Sequence, residues 1–317
     1  MRVLIIGAAG MLGQKLSERL ARDGSLGTQP LSALVGADVT GGEDTIAADL
    51  SAPGVAADLI ASRPDVIVDL AAVVSGEAES DFEKGYRVNL DATRHLLEAI
   101  RLAGSDYRPR LVFSSSIAVF GPPMPDVIPD DHPTTPATSY GTQKAMVELL
   151  LGDYTRRGFV DGIAIRLPTI CVRPGAPNLA ASGFFSNIIR EPLHGRPALL
   201  PVSPEVRHWF ASPRAAVAFL LHAATIDSSA LGRGRSLTMP GLSATVGEEI
   251  KALRRVAGDD AVALIRAEPD DTVARIVNGW PRAFDARRAS ALGFTAERDF
   301  DQIVRVYVED EMGGAVG

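Results

Sequence analysis

Tyr140 and Lys144 stand four residues apart in Tyr140-Gly-Thr-Gln-Lys144, and residues at that interval project from one face of a helix. A phenol beside an ammonium is a proton-transfer device, because the positive charge favours the phenolate and lowers the tyrosine pKa toward neutrality. Ser116 ends the run Arg110-Leu-Val-Phe-Ser-Ser-Ser116. A hydroxyl there can donate to a substrate carbonyl oxygen, or hold a substrate hydroxyl while Tyr140 takes its proton. Ser116, Tyr140 and Lys144 are therefore the expected catalytic residues, and the expected chemistry is oxidoreduction. A surface helix that merely carries a tyrosine and a lysine is the plain alternative, so the elements around them must decide.

Such a set needs a rigid sheet edge. Residues 3–6 form a short apolar run, and 11–22 carry Leu12, Leu16 and Leu20 at helical spacing. Further strands are expected at 31–37, 65–70, 110–114 and 162–167, with helices at 55–62 and 82–103 and another opening near 136–139 to bear Tyr140 and Lys144. Leu90, Leu96, Leu97 and Ile100 make the apolar stripe of the 82–103 helix. Strands alternating with helices imply an α/β fold, a Rossmann-type doubly wound parallel sheet. Beyond Leu167 the alternation turns irregular: helices at 213–225, 246–256 and 300–311 and a strand at 235–239. The expected division is a cofactor-binding domain at 1–167 and a smaller, mainly substrate-binding α/β lobe at 168–317, packed as one unit with it.

Gly7-Ala-Ala-Gly10-Met11-Leu12-Gly13 falls between the first strand and the first helix. Glycines there permit a tight turn and let backbone N–H groups approach a pyrophosphate at a helix N-terminus. A dinucleotide cofactor is expected, with Gly7, Gly10, Met11, Leu12 and Gly13 against it. Asp38, at the end of the second strand, can accept from ribose hydroxyls and would repel an extra phosphate, so NAD is preferred. Asp49 and Leu50 follow the next short run and are candidates to face the adenine.

These segments together resemble the extended short-chain dehydrogenase/reductase family, which includes nucleotide-sugar epimerases and dehydratases. The resemblance runs over nearly the whole chain. It implies NAD on the glycine motif and a triad of Ser116, Tyr140 and Lys144. It also implies cofactor contacts at Ala71 and Ala72 in Leu70-Ala-Ala72, at Asn89 in Val88-Asn-Leu-Asp-Ala-Thr93, and at Pro168 and Thr169 in Arg166-Leu-Pro-Thr169; Tyr140 and Lys144 would touch the cofactor too. The segments 72–79, 166–175, 181–186 and 207–214 are similar to the branch that uses NAD to oxidise a four-carbon sugar acid to its 2-keto acid. A nucleotide-sugar epimerase or dehydratase with the same triad, or a noncatalytic NAD-sensing protein, are the alternatives.

A sugar acid brings a carboxylate, which suits the planar donor fork of arginine. Arg173 and Arg207 are the candidates for it, and Ser75, Gly76, Asn178, Ser116 and Tyr140 are the others expected at the substrate. His208, beside Trp209 in an apolar run, reads as packed and hydrogen bonded, not catalytic. Cys171 is the only cysteine, in an apolar setting that suits a buried thiol. It leaves no disulfide and no cysteine metal cluster, and no histidine or carboxylate set invites a metal.

Net charge is −7 with 46% hydrophobic residues, and no basic block occurs, which disfavours nucleic acid and anionic membranes as partners. No apolar run approaches the roughly 18 residues of a membrane helix. A cytoplasmic enzyme acting on a small sugar acid is expected, and family resemblance alone implies a homodimer packed through the helices of Phe82 and Tyr140.

Overall fold

A computed structural model describes residues 1–175, 182–232 and 234–314. The chain forms two compact units and crosses between them after Val119, Thr135, Leu167, Ala216 and Thr238.

The first unit, 1–119 with 136–167 and 217–238, carries a parallel sheet. Its strands are β1 (Arg2–Ile6), β2 (Ala33–Asp38), β3 (Thr45–Ala47), β4 (Val66–Asp69), β5 (Arg110–Ser116) and β6 (Asp161–Leu167), joined by an edge strand, Ser236–Thr238. The order is β3, β2, β1, β4, β5, β6 and then Ser236–Thr238, each neighbouring pair parallel. Chain direction across the sheet reverses between β1 and β4, the switch point where such sheets hold ligands. Val3 to Ile6 are buried, as the continuous apolar run requires of a strand covered on both faces. The helices are α1 (Met11–Asp23), α2 (Val55–Ile60), α3 (Ser75–Ser80), α4 (Phe82–Tyr86), α5 (Ala92–Leu102) and α6 (Ser139–Arg156). Gly24 ends α1 in the left-handed conformation and returns its N–H to Leu20 O.

The segment after β4, for which no element was expected, is helical from Ser75. The helix expected at 82–103 is broken by a π turn, Arg87–Asp91, between α4 and α5. Its physical reason is Asn89, which is buried with its Oδ1 accepting from Val73 N at 2.9 Å and its Nδ2 donating to Val73 O and to Gln143 Oε1. The inserted residue of a π turn re-aims one side chain inward while the helix continues.

The second unit comprises 120–135, 168–216 and 239–317. Its sheet orders Leu242–Thr245, Arg207–Ala211 and Thr169–Ile170, over a core of Phe185, Ile188, Phe210, Leu253, Phe300 and Ile303. A capping box of Thr245 and Glu248 starts the helix Val246–Val262. One turn in, Glu249 is fully buried, and neither carboxylate oxygen has a hydrogen-bond partner among the described residues. Burial therefore pushes Glu249 well above the usual carboxylate range. Above the ordinary carboxyl value of 4.5 and below the raised one, folding takes up a proton, so stability falls as pH rises through that window. Glu249→Gln removes this dependence. Urea midpoints of the variant should gain on the parent as pH climbs from about 5 to about 8, by up to about 1.4 kcal/mol per pH unit; parallel curves would exclude a buried, protonated Glu249.

Candidate active site

The site is built on the contact of α6 with β5. Thr138 caps α6 by accepting from Gly141 N at 3.1 Å. A Cβ on Gly141 would lie 2.1 Å from Ala118 O. Only glycine lets the first turn of α6 press on the backbone leaving β5, and that approach sets Tyr140 beside Ser116. Ser116 Oγ accepts from Ala118 N at 3.1 Å, which fixes its rotamer. Ser116 and Tyr140 are both partly open, whereas Lys144 is 1% exposed.

Successive turns of α6 meet successive residues of β5. Lys144 Nζ donates to Ser114 O at 2.8 Å and lies 4.5 Å from the Phe113 ring centroid and 5.7 Å from that of Tyr140. Glu148, one turn further, accepts from Ser115 Oγ at 2.6 Å and from Arg166 Nε at 2.9 Å. Burial lowers Lys144 to about 8, with Asp69 and Glu148 opposing the shift. Asp69 itself is buried at the end of β4, accepting from Thr93 Oγ1 at 3.0 Å and Ala71 N at 3.3 Å. Burial raises its pKa against the pull of Lys144.

The expected lowering of the Tyr140 pKa does not hold in this structure. Burial pushes the phenol up to about 12, and the hydrogen bond from Ser116 only partly offsets it. The Lys144 ammonium is directed at the Ser114 carbonyl and lies 5.7 Å from the Tyr140 ring centroid.

At the switch point the glycine turn has the form a dinucleotide needs. Gly7 has φ +81°, and a Cβ there would lie 2.8 Å from Ala71 N. On Gly13 it would lie 2.2 Å from Gly7 O, whereas on Gly10 its nearest neighbour is Gly7 O at 3.4 Å. Gly7 and Gly13 are thus demanded by the fold, whereas the fold leaves room for a Cβ at Gly10. No side chain caps α1 and no acidic residue occupies its first turn, so the amides at Met11 and Leu12 are available to an anion. Asp38 ends β2 beside the turn, accepting from Ala9 N at 3.0 Å and Thr40 N at 3.1 Å. Ala71 and Ala72 leave β4 on the same edge, held through Val73 by Asn89. Asn89 turns its polar atoms to Val73 and Gln143 and so acts on that edge through the backbone. Asp49 is exposed and bonded to Ser51, while the Leu50 side chain is buried.

In the second unit, Arg173 N donates to Ser186 Oγ at 3.0 Å, and Arg190 donates to Arg173 O. Burial lowers the Arg173 pKa, and no carboxylate pairs with it among the described residues. Arg207 differs: it donates to Ser243 O at 3.0 Å and lies 3.4 Å from Glu248. Thr169 is half-buried and Pro168 buried. Ser75 and Gly76 form the first turn of α3. Asn178 lies outside the described residues.

The family model for the NAD-dependent epimerase/dehydratase family matches residues 3–230. The chain belongs to that family. Its members' cofactor, NAD, is thereby the cofactor of this chain, consistent with the open cradle at Gly10. A D-erythronate dehydrogenase from Cupriavidus necator is 48% identical over 98% of each chain, and one from Haemophilus influenzae is 41% identical over 98% of this chain and 100% of its own. The crystal structure of a nucleoside-diphosphate-sugar epimerase from Agrobacterium tumefaciens is 60% identical, covers 100% of this chain and 96% of that one, and superposes with a TM-score of 0.98.

Within this epimerase/dehydratase framework, Gly141, Asp69 and Glu148 escaped the sequence reading. A glycine directly after the tyrosine, and an acid closing an apolar strand run, were the available signals. Two glycine substitutions should separate fold from cradle. Gly13→Ala should lose about 3 kcal/mol of stability, since backbone must move. Gly10→Ala should keep its thermal midpoint yet bind NADH several-fold more weakly by fluorescence titration; unchanged NADH affinity in Gly10→Ala would remove that glycine from the cofactor site.

Proposed function

We propose that this chain is a D-erythronate dehydrogenase, oxidising the C2 hydroxyl of a four-carbon sugar acid to a ketone with NAD as acceptor. The observation that carries the reading is the pairing of a partly open Ser116 and Tyr140 with a buried ammonium at Lys144. Full-length identity of 48% and 41% to two D-erythronate dehydrogenases supports the substrate.

The residues divide the work as follows from their chemistry. Ser116 orients the substrate hydroxyl and Tyr140 removes its proton as hydride leaves C2. NAD would supply the hydride acceptor there. The Lys144 ammonium favours the phenolate that Tyr140 must form, against the burial that pushes the phenol up to about 12. Gly7, Gly10, Met11, Leu12, Gly13 and Asp38 hold the pyrophosphate and ribose, with Ala71, Ala72, Pro168 and Thr169 toward the nicotinamide. Arg173 takes the substrate carboxylate, because it is a half-buried cation without an acid partner among the described residues. Arg207, already near Glu248, ranks behind it. Ser75 and Gly76 remain candidates for substrate hydroxyls. The exposed Phe82 on α4 and Leu149 on α6 support the homodimer reading, which light scattering tests.

The epimerase of 60% identity supports a second reading, in which NAD is a recycled oxidant for a nucleotide sugar. Stoichiometry separates the two. With NAD and D-erythronate the purified protein should accumulate NADH; no NADH from a panel of stereodefined four-carbon acids, with epimerisation of a nucleotide sugar instead, would establish the rival. Tyr140→Phe should cut turnover by about a hundredfold or more while NADH still binds. Activity near the parental level would remove Tyr140 from proton transfer and favour a sensor.

Lys144 gives the pH dependence. Its amino group is cationic below about 8 and neutral above, so support for the phenolate fades as pH rises through that value. The kcat profile should carry a descending alkaline limb near 8, absent from the residual activity of Lys144→Arg, whose guanidinium does not titrate there. A limb that persists in the arginine variant would assign it to another group.

A further inference from the structure

In the first unit the segment 73–79, which follows β4 and runs through α3, is tied to α6 near both of its ends. At the near end Val73 N donates to Asn89 Oδ1 at 2.9 Å, and an N–H can meet only an acceptor, so the Asn89 amide cannot be turned over. Its Nδ2 therefore faces Gln143 on α6, where Oε1 accepts at 2.7 Å. Gln143 is fully buried, and its own Nε2 has no hydrogen-bond partner among the described residues. An unmatched buried donor costs stability, and what the side chain supplies against that cost is the acceptor for Asn89. At the far end Glu79 Oε2 accepts from Ser139 N at 3.0 Å, at the first residue of α6 and next to Tyr140. Between the ends Ala78 is buried, and a Cβ on Gly85 of α4 would lie 3.2 Å from Ala78 Cα and 2.7 Å from Gln143 Nε2. Glycine there leaves the room in which α3, α4 and α6 meet.

We propose that Glu79 and Gln143 are positioning residues for the substrate: they fasten the segment 73–79 to the helix that carries Tyr140, Glu79 directly and Gln143 through Asn89, and so set Ser75 and Gly76 relative to the base. This rests on the reading above that Ser75 and Gly76 meet substrate hydroxyls, and it deepens that reading by naming what places them. Ser75 and Gly76 lie in the first turn of α3, between the two ties. One rigid helix then fixes both the group that takes the proton and the groups that hold the rest of the sugar chain, which is what alignment of a reacting hydroxyl requires. Loosening either tie weakens the grip on the hydroxyls beyond C2 and leaves the carboxylate and the C2 hydroxyl with their own partners.

The test sets D-erythronate against (R)-2-hydroxybutyrate, which keeps the carboxylate and the C2 hydroxyl and lacks the hydroxyls at C3 and C4. Gln143→Met, which keeps the length and loses the acceptor, should raise KM for D-erythronate about tenfold, and Glu79→Ala about threefold, with kcat within about twofold of the parent. The inhibition constant of (R)-2-hydroxybutyrate and the affinity for NADH by fluorescence titration should both stay within about twofold, whereas a merely structural loss would move all of them together. Glu79→Gln, which can still accept from Ser139 N, should return KM to the parental value. Ser75→Ala should raise the same KM by itself, and adding Gln143→Met to it should raise it little further. If Gln143→Met does not fold, the variants at the exposed Glu79 still decide the matter. An unchanged KM in Glu79→Ala, no recovery in Glu79→Gln, or weaker binding of (R)-2-hydroxybutyrate in step with the rise in KM would each overturn the assignment. Normal NADH formation from D-erythronate, with KM raised by Ser75→Ala but by neither Glu79→Ala nor Gln143→Met, would overturn it alone; no NADH from D-erythronate in the parent would take the functional reading with it.

Discussion

The ammonium of Lys144 against the Ser114 carbonyl is the contact on which the first unit's chemistry depends. A lysine at 1% exposure pays a desolvation cost, and only a committed acceptor and nearby acids keep it charged. That requirement locks the register of α6 on β5: Lys144 meets Ser114, Glu148 meets Ser115, and Tyr140 falls beside Ser116. A slip of one residue would bury a carboxylate without partners and swing the phenol away. The three consecutive serines of β5 are thus one docking row, of which only the last stays partly open.

Much of this was readable in advance because its causes are local. Short apolar runs bounded by glycine and proline became buried parallel strands, and leucines at helical spacing became α1. The four-residue interval between Tyr140 and Lys144 survived as a helical face. The features that escaped arise from contacts between distant segments. The π turn at Arg87–Asp91 exists because Asn89 must reach Val73, sixteen residues back. Gly141 matters because of a carbonyl at Ala118. The tyrosine pKa departs from expectation because spacing shows that a charge is near but not how deeply the phenol is buried.

The second unit follows a different logic, with polar groups buried singly in an aromatic core. His208 and Glu249 each sit in surroundings that leave one property exaggerated: a fixed tautomer and a retained proton. Such groups lower stability where they stand, and proteins concentrate these sacrifices near places where a ligand is recognised.

The edge strand Ser236–Thr238 pairs with β6 from Ala164 to Arg166, yet it lies beyond the stretch of residues 3–230 that matches the family. During synthesis the central sheet is therefore six strands wide until nearly three-quarters of the chain has left the ribosome, with the amides and carbonyls of β6 open to any passing strand. Nascent chains are most exposed to mispairing in that interval, and a fragment cut to the family boundary would make the interval permanent. The last strand of this sheet to arrive replaces a seven-residue edge by a three-residue one.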